Sequence, residues 1–169
     1  MEIKNIPITK IHKAKYNPRI IYDKEFQNLI NSIKEFGFVE PIVVNLRNHA
    51  DFKEHQWTIV GGHQRYEAAK KIGHKEVPVL FVDLTPQKEK ILNLALNKIT
   101  GDFDNAMLSE VMYGLIEEDK LTPNDILGFS GEEINSILGT VMDVGDIKET
   151  EFDENIETEN ECPKCGYKW

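Results

Sequence analysis

The chain has 169 residues, 40% of them hydrophobic, and a formal net charge of -9; that length buries one ordinary core with a small attachment and excludes two large domains. No stretch approaches the ~20 consecutive apolar residues of a membrane span. The start MEIKNIPITK lacks the apolar block of a signal peptide, so a soluble, cytoplasmic protein is predicted.

The charge is uneven. Between Asp143 and Glu161 nine acids face Lys148 alone. The first 24 residues instead carry Lys4, Lys10, Lys13, Lys15, Arg19 and Lys24 against Glu2 and Asp23. A polyanion can approach such an excess, with a solvated face as the alternative.

Ile3, Ile6, Ile8 and Ile11 suit a short strand that runs into a loop over 13–18, where Asn17-Pro18 marks a turn. From Asp23, the residues Phe26, Leu29, Ile30, Ile33 and Phe36 fall at helical spacing, and Gly37 closes the helix. Pro41 to Val44 reads as a buried strand, 45–56 as a loop or hairpin, and 57–60 as a second strand. Gly61-Gly62 then turns the chain into a helix over 63–72, stopped by Gly73. The run 77–82 is a further strand, in which Pro78 demands an edge, a bulge or the first position. Thr85 caps a helix with Pro86 at its first position and Ile91, Leu92, Leu94 and Leu96 along it, to about Asn97. After a break at Thr100-Gly101-Asp102, helical segments over 105–119 and 131–138 are joined through Leu121-Thr122-Pro123, with Gly128-Phe129-Ser130 a docking turn. Beyond Gly139 the acidic, apolar-poor composition predicts a disordered linker.

The strand, glycine turn and helix over 57–73 carry the chemistry. Two glycines let a ligand come close because no Cβ intervenes. The helix beginning near His63 offers unpaired N–H groups and a positive dipole end, a natural phosphate site. Arg65 adds a planar fork of donors in the first turn, and His63 and Gln64 add more. Taken alone, such a turn is a weak signal and more often merely structural. His63 is the one candidate for a general base, with backbone contacts at the helix start as its alternative.

Five ordered segments sharpen this reading: Tyr16-Asn17-Pro18-Arg19; Leu29-x-x-Ser32-Ile33; Gly37-Phe38-Val39-Glu40-Pro41-Ile42-Val43-Val44; Gly61-Gly62-His63-Gln64-Arg65-Tyr66-Glu67-Ala68-Ala69; and Gly73-x4-Pro78-Val79. Together they resemble the amino-terminal domain of ParB-like proteins of the ParB/sulfiredoxin-like superfamily, over about Ile3 to Asp104. The resemblance implies a compact α/β (α+β) domain with a mixed sheet that binds a nucleoside triphosphate, CTP or ATP, with magnesium. Carried over by position, Gly61, Gly62, His63, Gln64 and Arg65 match the phosphate segment. Asn17 and Arg19 match the first family box, and Glu40 and Pro41 the stretch beside the nucleotide. Asn97 matches the asparagine of a third box that helps hold the metal, although the family usually shows Glu-Asn there and this chain has Leu96-Asn97. Sulfiredoxins have Gly-Gly-Cys-His-Arg at the turn; without that cysteine, thiol chemistry at this turn is excluded.

The segment 105–138 sets seven acids against Lys120 alone, which argues against a recognition helix for DNA. The run from Ala95 to Asp104 with Gly128-Phe129-Ser130 looks like the variant in phage and mobile-element proteins, some associated with DNA methyltransferases. Cys162-Pro163-Lys164-Cys165 resembles half a zinc knuckle, which needs another subunit or a partner to complete four ligands; a vestigial knuckle or a loose tail is the alternative. The expected layout is a ParB-like domain over 1–104, a helical appendage over 105–140, an acidic linker over 141–160 and the cysteine ending over 161–169. The expected function is a nucleotide-dependent switch or accessory in DNA transactions such as partition or modification. Partners implied are nucleotide, DNA, a DNA methyltransferase and a second copy. The alternatives are an enzyme using the same pocket, as nucleotide hydrolase, phosphotransferase or nuclease, and an adaptor without nucleotide. No clustered carboxylates favour the nuclease.

Overall fold

The computed structural model describes residues 2–48, 50–51, 57–98 and 102–142. The acidic stretch beyond Met142 and the expected zinc ligands Cys162 and Cys165 lie outside the described residues.

Four strands form one mixed sheet in the order β1-β4-β2-β3: β1 Ile3–Pro7, β2 Ile42–Asn45, β3 Thr58–Gly61 and β4 Glu76–Val82. β1 runs antiparallel to β4, β4 parallel to β2, and β2 antiparallel to β3. The β-branched content of β2 and β3 suits their nearly complete burial. Pro78 sits in the central strand β4, against the expectation of an edge, bulge or first position. Its position explains the tolerance. Pro78 faces Asn5 and Pro7 faces Glu76, two pairs of the same parity, so both prolines fall at the antiparallel sites that exchange no backbone bonds. The parallel ladder to β2 begins only at Val79.

Helix α1, Asp23–Phe36, ends on Gly37 at φ +71°. Its apolar stripe of Ile30 and Ile33 packs on Ala68 of α2, His63–Ile72. The other face of α2 brings Tyr66 and Ala69 onto the sheet, where Ile42, Val44, Ile59, Val77 and Val79 form the first core. α3, Pro86–Lys98, packs against β3 and opens with Thr85 Oγ1 accepting from Lys88 N–H at 3.5 Å.

A second core joins α3 to the C-terminal helices α4, Asn105–Tyr113, and α5, Gly131–Met142, through Leu94, Leu108, Met112, Leu115 and Ile134. α4 continues without a cap into a π-helical turn over Gly114–Glu118, and α5 runs four residues past the expected Leu138. The turn at Gly128, φ +90°, docks as its composition suggests: Phe129 lies 6.0 Å from Phe103, and Lys98 Nζ sits 4.4 Å above the Phe129 ring. The loop after β1 is held to the chain after α3. Ile20 N–H donates to Asp102 O at 3.2 Å and Asp104 N–H to Pro18 O at 2.7 Å.

Candidate functional site

β3 ends at Gly61 and Gly62 adopts φ +92°, a left-handed conformation that glycine enters without strain, so the chain turns directly into α2. A Cβ on Gly61 would lie 2.8 Å from Leu96 Cδ1, and one on Gly62 would lie 3.2 Å from the Arg65 guanidinium. The two glycines therefore let α3 and Arg65 close over the turn. Beyond them opens a cavity of about 640 Å³.

Arg19, Glu40, Pro41, Gly61, Gly62, His63, Gln64, Arg65 and Asn97 all line this cavity, so the structure gathers nine of the ten expected residues from four separate segments. The tenth, Asn17, stands behind the wall, its Oδ1 accepting from Asn97 at 3.0 Å and Asn93 at 3.1 Å. Ile21, Leu29, Val43 and Leu96 make one side apolar, and Glu25 joins the rim.

The electrostatics ask for an anion. Burial and the charge of Arg65 hold the Arg19 guanidinium below the usual arginine range, with the Glu25 charge a smaller opposing influence, and both cations line the cavity. Arg65 Nη1 donates to Glu40 Oε2 and Nη2 to Pro41 O at 3.3 Å, while its Nε is buried with no hydrogen-bond partner. Glu40 is 70% exposed, so its carboxylate is a replaceable guest of the guanidinium fork. His63 is buried and neutral: burial first, then Lys13 and Arg19, push its pKa down to about 4. Its Nε2 accepts the Ala14 N–H at 3.3 Å. That bond occupies the lone pair a general base would use and leaves Nδ1–H as a donor.

Sequence reasoning missed what holds the wall in place. Glu89, Asn93 and Asn97 recur every four residues along α3 and form a buried polar stripe. Glu89, 1% exposed, accepts from Tyr16 at 2.5 Å, from Asn45 at 2.6 Å, and from Arg47 at 2.6 and 3.0 Å. Asn93 Nδ2 reaches Val60 O at 2.8 Å. Burial alone would lower the Arg47 guanidinium, but hydrogen bonding and attraction to Glu89 outweigh it and raise the pKa. Burial, then the neighbouring Glu89 charge, pushes the Tyr16 hydroxyl up, so it stays a donor. The spacing of three polar residues at i, i+4 and i+8 was the available signal. It was hidden by the more numerous apolar residues of the helix.

Among the described residues, no three His, Cys, Asp or Glu side chains gather as a metal-ligating group, and no helix is long and apolar enough to cross a membrane.

A strand-glycine-helix turn beside two guanidiniums, set in a mixed four-stranded sheet, makes an α/β domain whose cleft suits an anion. The chain belongs to the ParB N-terminal domain family, whose model matches residues 1–99. It is 31% identical over 137 residues to the chromosome-partitioning protein ParB of Myxococcus xanthus, covering 80% of this chain and 44% of that protein. The chain thus spans less than half the length of that relative. The fold matches C-terminally truncated ParB from Caulobacter crescentus complexed with CTP-gamma-S, with a TM-score of 0.51 and 23% identity over 84% of this chain and 79% of that one. It also matches the truncated protein from the same organism complexed to the centromeric parS site, with a TM-score of 0.50 and 22% identity over 80% of this chain and 64% of that one.

Proposed function

We propose that this chain binds a nucleoside triphosphate, CTP or ATP, in the 640 Å³ cavity and acts as a nucleotide-dependent switch or accessory in DNA transactions such as partition or DNA modification. The observation that carries it is the pair of guanidiniums, Arg19 and Arg65, facing one glycine-floored cavity at a helix N-terminus. Phosphates lie on the Gly62 to Arg65 segment and displace Glu40 from Arg65; the base lies against Ile21, Leu29 and Val43. The CTP-gamma-S and parS complexes of the Caulobacter protein support nucleotide and DNA as the two ligand classes.

Magnesium is the cation suited to a triphosphate, and Asn97, Glu25 and the displaced Glu40 are among the oxygen donors this cavity offers it. Leu96 stands where the family pattern has a glutamate, so a weaker magnesium dependence is expected. The acidic attachment directs DNA contact to the basic amino-terminal end or to a partner such as a DNA methyltransferase, in a cytoplasmic protein of phage or mobile-element type. The Cys162 and Cys165 pair favours a second copy, with zinc shared between two chains.

Titration calorimetry with CTP, ATP, GTP and UTP, with and without magnesium, tests the nucleotide reading. Saturable binding that disappears in Arg65→Ala supports it and identifies the base. Absence of heat with all four nucleotides overturns it in favour of an adaptor.

A further inference from the structure

The lysines of this chain divide into those held by a carboxylate and those that are not. Lys4, Lys13, Lys90, Lys98 and Lys120 each sit against an acid. Among the described residues, Lys10, Lys70, Lys71 and Lys75 belong to the second group, and all four are exposed. Backbone and ring contacts bring them to one place. Ile8 N–H donates to Lys75 O at 3.0 Å, which lays the 3-10 turn Ile8–Lys10 beside the loop after α2. The Tyr66 hydroxyl donates to Ile11 O at 3.3 Å, and Lys70 Nζ lies 5.5 Å from the centre of the Tyr66 ring. Lys10 Nζ lies 5.9 Å from the Trp57 ring centre, and Lys71 Nζ 5.4 Å from that of Phe26. The rings support the lysine stems without neutralising their charge. The acids nearby are Glu67, which Lys13 holds at 3.0 Å, and the exposed Glu76. Lys70 and Lys71 also offset the negative end of the α2 dipole, but Lys10 and Lys75 lie off that helix and answer no such need.

We infer that this face, at the opposite end of α2 from the glycine turn, docks the phosphate backbone of duplex DNA without regard to sequence. A duplex presents rows of phosphates, and lysine on a long stem is a point charge that follows such a row. Contacts of this kind position a protein on DNA and carry no base information. None of the four lysines lines the nucleotide cavity, so DNA here does not compete with nucleotide there. The inference gives a location to the DNA contact proposed above and rests on that reading alone, independent of the nucleotide.

The test follows the fluorescence anisotropy of a labelled duplex of arbitrary sequence against the full chain over a salt series, with a thermal melt of each variant to confirm the fold. Lys70→Gln with Lys75→Gln should weaken binding roughly tenfold at about 50 mM salt, as for two exposed ionic contacts, and reduce the steepness of log affinity against log salt by about 2. Lys88→Gln with Lys120→Gln removes the same charge from exposed positions elsewhere and should leave that steepness unchanged. Lys70→Arg with Lys75→Arg should retain the binding. Equal loss in both glutamine pairs, or no loss in either, overturns this face while DNA binding by the chain stands. Absence of duplex binding by wild type overturns the DNA contact itself and this face with it. Poly-glutamate that displaces the labelled duplex as readily as unlabelled duplex does would assign the face to an acidic protein and overturn DNA as its occupant.

Discussion

Gly62 and Gly73 bracket α2 and share nearly the same left-handed backbone, φ +92° and +91°, which makes them a matched pair. A Cβ on Gly73 meets nothing within 4 Å, whereas one on Gly62 meets the Arg65 guanidinium at 3.2 and 3.3 Å and Ile42 Cα at 3.4 Å. Both alanine variants should lose about 1–2 kcal/mol from backbone strain. Only Gly62→Ala should weaken nucleotide binding, because it alone displaces Arg65; thermal melts beside calorimetry separate the two effects. Glu40→Gln should tighten nucleotide binding, since the neutral amide competes less well with phosphate for the same fork. His63 gives the pH dependence. Its folded pKa of about 4 lies below the ordinary value of 6.5, so between those values the unfolded chain binds the extra proton. Its contribution is fully present above about pH 6.5 and falls as pH drops toward 4, by roughly 3 kcal/mol across the window. Denaturant midpoints from pH 7.5 to 4.5 should show this slope and show it flattened in His63→Asn. An equal slope in both proteins would assign the acid sensitivity elsewhere.

At the scale of elements, α3 is the wall on which the site is hung, and Glu89 is its fixed point. Arg47, 8% exposed and at φ +55°, binds Glu89 through two nitrogens, so removing one partner leaves the other buried and uncompensated. Glu89→Gln should cost about 3–5 kcal/mol by denaturant unfolding, while the paired change Glu89→Leu with Arg47→Met should cost much less. The paired change should still weaken nucleotide binding, because Tyr16 loses the acceptor that anchors the loop carrying Asn17 and Arg19. Much of this element pattern was legible in the sequence. The β-branched runs, the glycine stops and the helical spacing located all four strands and five helices, and the ordered motifs brought Arg19, Arg65 and Asn97 together across the chain. The Glu89 network was not legible, because a buried carboxylate has the same letter as an exposed one and its partners are 42 to 73 residues distant. Pro78 escaped for a related reason. Its tolerance in a central strand depends on pairing parity, which is a property of two strands together.

For the whole molecule, the resemblance ends near Asp104, yet the packing does not divide there. Leu94 is fully buried among side chains of α4, the π-helical turn and α5, and Tyr16 and Ile91 pack on the same cluster. Lys98 links to Glu133 at 2.6 Å. Ser109 Oγ donates to Ile137 O at 3.0 Å, tying the two C-terminal helices to each other. Cutting the chain after Asp104 would expose Leu94, worth about 2 kcal/mol for a buried leucine side chain, and would uncover Tyr16 beside the loop that presents Arg19. The fragment 1–104 should therefore melt well below the fragment 1–142 and bind nucleotide more weakly, and a Leu94→Ser change within 1–104 should recover solubility without recovering affinity. Equal melting temperatures and equal affinities for the two fragments would mean that the C-terminal helices are an independent attachment. The predicted difference instead makes them the back support of the site, carried through α3.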